Sequence, residues 1–276
     1  MQVVKSVDFK AKDGHPLKGY TWGDLGQAKA IIVVVHGLGE HVRRYDHVAE
    51  LAVARGMSVI GIDQRGFGSS GDKPGVIGSV GNLMSDITTV IEEAKKSNPT
   101  TPIFLYGHSM GALEVLYYGL TEKPHIAGVI ATSPPLSTAT MTQTQITLTK
   151  LLSGILPNLT ISSGLVLSGL SRDQQVIDAY KADPLVHDKV SVALGKFLYE
   201  GALYVMNHAA EWKLPLYMAH GSEDSICPIS GTKEFFGKLS GDVTLKVWDG
   251  LFHETHNEPE KEQVIATLLD WVEARL

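Results

Sequence analysis

The sequence predicts an α/β protein: one mostly parallel sheet with helices on both faces, interrupted by a largely helical insertion. Three observations carry that prediction. Short, continuously apolar, β-branched runs recur along the chain, as strands buried on both faces require. Between them lie amphipathic stretches of helical length, which is the alternation of a parallel sheet. The alternation stops at Pro134-Pro135 and resumes near Pro215.

Taken in order, "VVKSVDFKA" and "LKGYTWG" alternate as an antiparallel pair does, with "KDGHP" as the turn between them. "AIIVVV" (30–35) is the first buried strand. A helix follows around Arg44 to Arg55, then the strand "SVIGID" (58–63) and a helix over 79–97. The strand "IFLYG" leads into Ser109, a helix leads out, and "AGVIATSP" (127–134) is the next strand. Past the insertion, 215–224 reads as a strand, 229–238 as a helix, 243–250 as a strand and 258–275 as a closing helix. The domain division is therefore a core of 1–135 and 211–276 with an inserted segment, 136–210, and no internal repeat is visible.

The insertion has its own composition. Between Leu136 and Ser171 the only charged residue is Lys150. Leu148, Leu151, Leu152, Ile155, Leu156 and Leu159 fall at helical spacing. Such a stripe either packs a helix onto the main domain or belongs to a cap whose apolar face lines a substrate channel or touches lipid, and one helix can do both.

The totals exclude several classes. A net charge of −6 gives no basic face for nucleic acid and argues against a polybasic membrane anchor. Cys227 is the only cysteine, so no intrachain disulfide forms and no oxidising compartment is required. The first residues lack the basic start and apolar core of a signal peptide. The most apolar stretch, 151–170, is broken by Pro157, Asn158 and several glycines and serines, and is expected not to span a membrane.

The chemistry centres on "YGHSMGALEV" (106–115). Gly107-His108-Ser109-Met110-Gly111 fits G-x-S-x-G between a strand and a helix, the setting that motif needs. A tight turn there lifts the serine Oγ clear of the sheet, and the helix amino terminus favours developing negative charge. A nucleophilic serine needs a base, and the base an orienting acid. In chain order these are Asp224, in "HGSEDSICP", and His253, in "WDGLFHETHNEP", both at the carboxyl edge of the sheet.

Other groups are set aside. Asp249 is too near His253 along the chain, Glu223 alternates away from Asp224, and His220 reads as structural. His187 and His208 lie in the insertion with nothing to recommend them. "HETH" lacks the spacing of the zinc helix motif, so no metal is expected, nor any cofactor. "GFGSSG" (66–71) mimics a dinucleotide motif, but "DKPGVIGSVG" follows where a helix should begin, which makes it a loop. Two backbone N–H groups should bind an oxyanion: Met110, after the nucleophile, and Leu38, in "HGLGEH", where Gly37 and Gly39 let the chain curl.

With these residues placed, the chain resembles an α/β-hydrolase, and within that fold the monoacylglycerol lipase family. The resemblance runs nearly end to end, through "HGLGEH…RRY", "DQRGFGSS", "GHSMGA", "YKADPLV", "GSEDSICP" and "FHETHNEPEKE". It implies hydrolysis of a monoacylglycerol to glycerol and fatty acid by Ser109, Asp224 and His253, with Leu38 and Met110 forming the oxyanion hole. It also implies a polar pocket around the glycerol end made by Glu40, Arg44, His108, Tyr180 and His256. Cys227 matches a bystander cysteine near that pocket. The insertion matches a cap that forms the acyl channel and contacts membranes, so the expected location is cytoplasmic with peripheral membrane association. Two departures stand out: Ala112 replaces a commoner glycine, and Leu38 is bulkier than the small residue often found there. The alternatives are a lysophospholipase or short-chain carboxylesterase on the same scaffold, and a non-catalytic lipid or ligand receptor. An intact triad speaks against the last.

Overall fold

The computed structural model describes residues 4–71, 73–137 and 143–276, with the backbone alone at 143–145 and 148. In chain order its strands are β1 (Lys5–Lys10), β2 (Pro16–Trp22), β3 (Ile31–Val35), β4 (Ser58–Ile62), β5 (Ile103–His108), β6 (Gly128–Thr132), β7 (Thr160–Ser162), β8 (Lys189–Ser191), β9 (Leu216–Gly221) and β10 (Val243–Trp248). The α-helices are α1 (Asp46–Ala54), α2 (Val80–Ser97), α3 (Met110–Thr121), α4 (Gln143–Ser153), α5 (Gln174–Ala182), α6 (Val192–Asn207), α7 (Ile229–Phe236) and α8 (Lys261–Glu273).

Eight strands form one sheet in the order β1-β2-β4-β3-β5-β6-β9-β10. β1 pairs antiparallel with β2, and β2 with β4; every later pairing is parallel. This is the mostly parallel sheet the sequence predicts. β3 shows why: alternate residues of its Ile-Ile-Val-Val-Val run enter different cores. Ile31, Val33 and Val35 face the side covered by α2, α3 and α6, while Ile32 and Val34 face α1 and α8. With both faces covered, a polar residue anywhere in the run would be stranded.

The helices are bounded by chemistry visible in the chain. Ser79 caps α2, its Oγ accepting from the Asn82 N–H at 3.2 Å. Pro99, two residues beyond its last turn, prevents continuation. Its Leu83, Ile87, Val90, Ile91 and Ala94 recur at helical spacing and are buried.

Between β6 and β9 the chain builds α4, the two-stranded β7–β8 ribbon, α5 and α6. α6 lies on α3, and its Leu194, Phe197, Ala202 and Val205 join the same core as the sheet. The apolar stripe expected over 148–159 behaves otherwise. α4 ends at Ser153, where Gly154 and then Pro157 stop it. Leu151, Ile155 and Leu156 are 64%, 68% and 50% exposed, so the stripe is neither one helix nor packed on the main domain. The side chain of Leu148 lies outside the described residues. Among the described residues, no helix is long and apolar enough to cross a membrane.

The parallel strands β3, β5, β6, β9 and β10 all deliver their carboxyl ends to one edge of the sheet. The loops that follow them carry the residues singled out by the sequence.

Candidate active site

At the end of β5 the backbone turns through Ser109, which sits at φ 54° and ψ −120° and leads directly into α3. A non-glycine residue held there is strained, and its neighbours explain how the turn is fixed. A Cβ on Gly107 would lie 2.2 Å from the Gly111 carbonyl oxygen, and one on Gly111 would lie 2.1 Å from that of Val35. Both glycines are therefore dictated by close backbone approach. The Ser109 N–H donates to the Thr132 carbonyl at 2.9 Å, tying the corner to β6.

Ser109 Oγ is 2.9 Å from His253 Nε2, and His253 Nδ1 is 2.7 Å from Asp224 Oδ2. The three residues come from the ends of β5, β9 and β10. Asp224 is fully engaged: its Oδ1 accepts from the N–H groups of Ile226 and Cys227 at 2.9 and 2.8 Å. Burial opposes its ionisation, but His253 and His220 beside it hold the carboxyl well below the usual range. An ionised Asp224 requires a proton on His253 Nδ1, which leaves Nε2 free to accept from the serine.

His220, set aside as structural on sequence grounds, is a second donor to that acid. Its Nε2 faces two acceptors, the Cys227 carbonyl at 2.8 Å and Asp224 Oδ2 at 3.0 Å, and so carries the proton. Thr232 Oγ1 meets its other nitrogen at 2.8 Å. Ser133, another buried residue at positive φ (50°), anchors the histidine loop by donating from Oγ to the His253 carbonyl at 2.8 Å. Neither residue belongs to a motif; "HG" four residues before the acid is the only trace His220 leaves in the sequence.

The N–H groups of Leu38 and Met110 make no hydrogen bond among the described residues, and both residues line the same cavity as Ser109. Gly37, beside Leu38, donates to Glu40 Oε1 at 2.5 Å, which shapes the loop. A Cβ at Gly37 would meet Glu40 and approach Ser109 Cβ to 3.3 Å.

Glu40 also accepts from the Tyr45 hydroxyl at 2.7 Å and, through Oε2, from Arg44 at 2.6 Å. Burial raises its pKa, yet Arg44, His108, His36 and that hydroxyl outweigh it and leave the carboxyl at about 2. His108 bonds Thr132 Oγ1 at 3.0 Å, and burial with His253 nearby lowers it to about 4, so it is neutral at pH 7. His256 stacks on Tyr45 at 4.9 Å and meets His108 edge-on at 4.7 Å. In "HETH", His253 is committed to Ser109 and Asp224, whereas both ring nitrogens of His256 are buried without a hydrogen-bond partner among the described residues.

A cavity of about 110 Å³ opens over Ser109. Glu40, His108, Tyr180, Cys227, His253 and Glu254 give its polar and titratable wall, and Leu38, Pro135, Leu165, Leu170, Leu198 and Ile226 its apolar one. Of the five residues expected around the glycerol end, Glu40, His108 and Tyr180 are on the wall. Arg44 and His256 lie behind it. Glu254 is on the wall and was not foreseen; its adjacency to His253 was the available signal. Cys227 is buried, and burial, with Asp224 nearby, pushes its thiol well above the ordinary range.

Comparison with known proteins gives three kinds of agreement. Residues 26–260 match the family described as serine aminopeptidase, S33 (Hydrolase_4). The chain is 34% identical to a monoglyceride lipase of Rattus norvegicus, over 96% of this chain and 89% of that one. It is 33% identical to an uncharacterized abhydrolase domain-containing protein of Dictyostelium discoideum, covering 96% of this chain but only 28% of that longer protein. Among solved structures, the monoacylglycerol lipase of Paleococcus ferrophilus superposes with a TM-score of 0.87 at 33% identity, covering 94% of this chain and 99% of that one.

Proposed function

The chain belongs to the serine aminopeptidase S33 family of α/β-hydrolases and, within that fold, to the monoacylglycerol lipases, and from that membership we propose that it cleaves monoacylglycerols to glycerol and free fatty acid. The observation that carries the reading is the unbroken Ser109–His253–Asp224 chain, at 2.9 and 2.7 Å, opening into a largely apolar cavity that titratable side chains also line.

In this mechanism Ser109 Oγ attacks the ester carbonyl while His253 Nε2 takes the hydroxyl proton. Asp224, held ionised, stabilises the imidazolium that forms. The carbonyl oxygen, now negative, is held by the N–H groups of Leu38 and Met110, each donor contributing roughly 3 kcal/mol to the transition state. The tetrahedral intermediate collapses, the C–O bond to glycerol breaks, and His253 delivers its proton to the departing oxygen. Water then attacks the acyl-serine, giving its proton to His253, and fatty acid leaves as that proton returns to Ser109. Glu40, His108 and Tyr180 hold the glycerol end. The acyl chain lies along Leu38, Leu165, Leu170 and Leu198, each buried methylene contributing about 0.8 kcal/mol. The insertion acts as a cap, and its exposed Leu151, Ile155, Leu156, Leu159, Ile161 and Val166 touch the lipid surface from which substrate is drawn.

The test compares hydrolysis of monoacylglycerols with that of matching di- and triacylglycerols, lysophospholipids and short p-nitrophenyl esters. Wild type should favour the monoacylglycerols, and Ser109→Ala should retain its fold and less than about 1% of the rate. Comparable rates on short simple esters, with little on monoacylglycerols, would keep the nucleophile and remove the substrate.

A further inference from the structure

Arg44 carries one positive charge and meets two buried carboxylates. Its Nη1 donates to Glu40 Oε2 at 2.6 Å and to Glu254 Oε1 at 2.7 Å, and its Nη2 donates to Glu254 Oε2 at 2.7 Å. The ring of Tyr180 packs against the guanidinium, with the cation 4.8 Å from its centroid. Glu40 and Glu254 are each 2% exposed. The three side chains together carry a net charge of −1 with no solvent to screen it.

The remaining groups on the cavity wall do not cancel that charge. Burial keeps the phenol of Tyr180 and the thiol of Cys227 protonated, and His108 neutral, at pH 7. Among the described residues no Lys or Arg lines the cavity; both carboxylates do. Asp224, behind His253, adds a second negative charge. Arg44 in this chain is therefore a counter-ion, satisfied before any substrate arrives.

We infer that Glu254 sets leaving-group selectivity by charge: the excess carboxylate turns the leaving-group side of the site into a pocket that rejects anionic alcohols and accepts neutral or cationic ones. The inference rests on the proposed ester hydrolysis. A polyol such as glycerol donates its hydroxyls to the carboxylates at no electrostatic cost. An anionic alcohol, such as glycerate or a phosphorylated glycerol, brings like charge into a desolvated site, where repulsion is far stronger than in water. Glu254 acts through this field and through Arg44, and takes no part in proton transfer.

Three esters of one acyl chain test it, with glycerol, glycerate and choline as the alcohols, in wild type and Glu254→Gln. Wild type should show kcat/KM for the glycerate ester at least about tenfold below that for the glycerol ester. In the variant the glycerate-to-glycerol ratio should rise by about tenfold while the choline-to-glycerol ratio falls. Opposite movement of the two ratios distinguishes a charge effect from general damage, which would lower all three rates together. A wild-type glycerate-to-glycerol ratio near one overturns the inference whether or not the variant folds, as do unchanged ratios in a folded variant. A wild type that hydrolyses none of the three esters overturns the proposed activity, and the inference with it.

Discussion

Ser109 and Ser133 sit at positive φ values of 54° and 50°, and both hold the same hydrogen-bonded line, one as the proposed nucleophile and one as the clasp on the His253 carbonyl. Asp224 takes hydrogen bonds from two backbone N–H groups and two histidines, so its orientation does not depend on one contact. In the proposed mechanism its charge is what matters. Asp224→Asn should preserve that position but allow the wrong His253 tautomer, cutting kcat by about 10³–10⁴-fold with KM nearly unchanged. A fall in kcat of less than tenfold would mean that another acid serves His253. The meeting of Ser109, Asp224 and His253 was legible because strand–turn–helix and chain order are written in the sequence. His220 and Glu254 were not. Their roles depend on which neighbour each side chain meets across the loops after β9 and β10, and no periodicity encodes that.

At the scale of elements, the insertion is hydrogen-bonded to the loop that carries His253. The His253 N–H donates to the Gly169 carbonyl at 3.3 Å and that of Glu254 to the Leu170 carbonyl at 2.7 Å, while Ser171 Oγ donates to the Asn257 carbonyl at 3.0 Å. The segment that gives Leu165 and Leu170 to the cavity wall therefore also holds the loop that carries His253. Composition revealed the insertion's apolar character, but helical spacing misjudged its shape, because Gly154 and Pro157 end α4 before the stripe is complete. Exposure follows from that break, and with it the proposed lipid contact. Replacing Leu151 and Ile155 with Glu should weaken binding to neutral-lipid vesicles at least tenfold and slow hydrolysis of vesicle-borne substrate. The rate on a soluble short-chain ester should be unchanged. Equal vesicle binding by both proteins would remove the cap from membrane contact.

For the molecule as a whole, the two-faced core was legible from its β-branched runs, since a sheet covered on both sides favours apolar residues at nearly every strand position. The helix layer that covers it holds a buried carboxyl. Glu114 lies in the middle of α3, fully buried, with Asp86 the nearby charge. Burial pushes its pKa well above 4.5, and Asp86 adds to the shift. The folded protein thus keeps a proton that the unfolded chain releases above about pH 4.5, and stability falls as pH rises through that window. The loss is roughly 1.4 kcal/mol per pH unit until the folded-state pKa is reached. Glu114→Gln has no such proton to lose, so its stability relative to wild type should improve as pH rises above about 4.5 in denaturant titrations. Parallel curves would show that Glu114 is ionised in the fold.

The most direct test of the account is the site and protection of covalent labelling by a fluorophosphonate. Peptide mapping should place the label on Ser109, with monoacylglycerol slowing its attachment and Ser109→Ala abolishing it. A label on any other residue, or a labelling rate indifferent to monoacylglycerol, would contradict the claim that Ser109 is the nucleophile of a monoacylglycerol hydrolase.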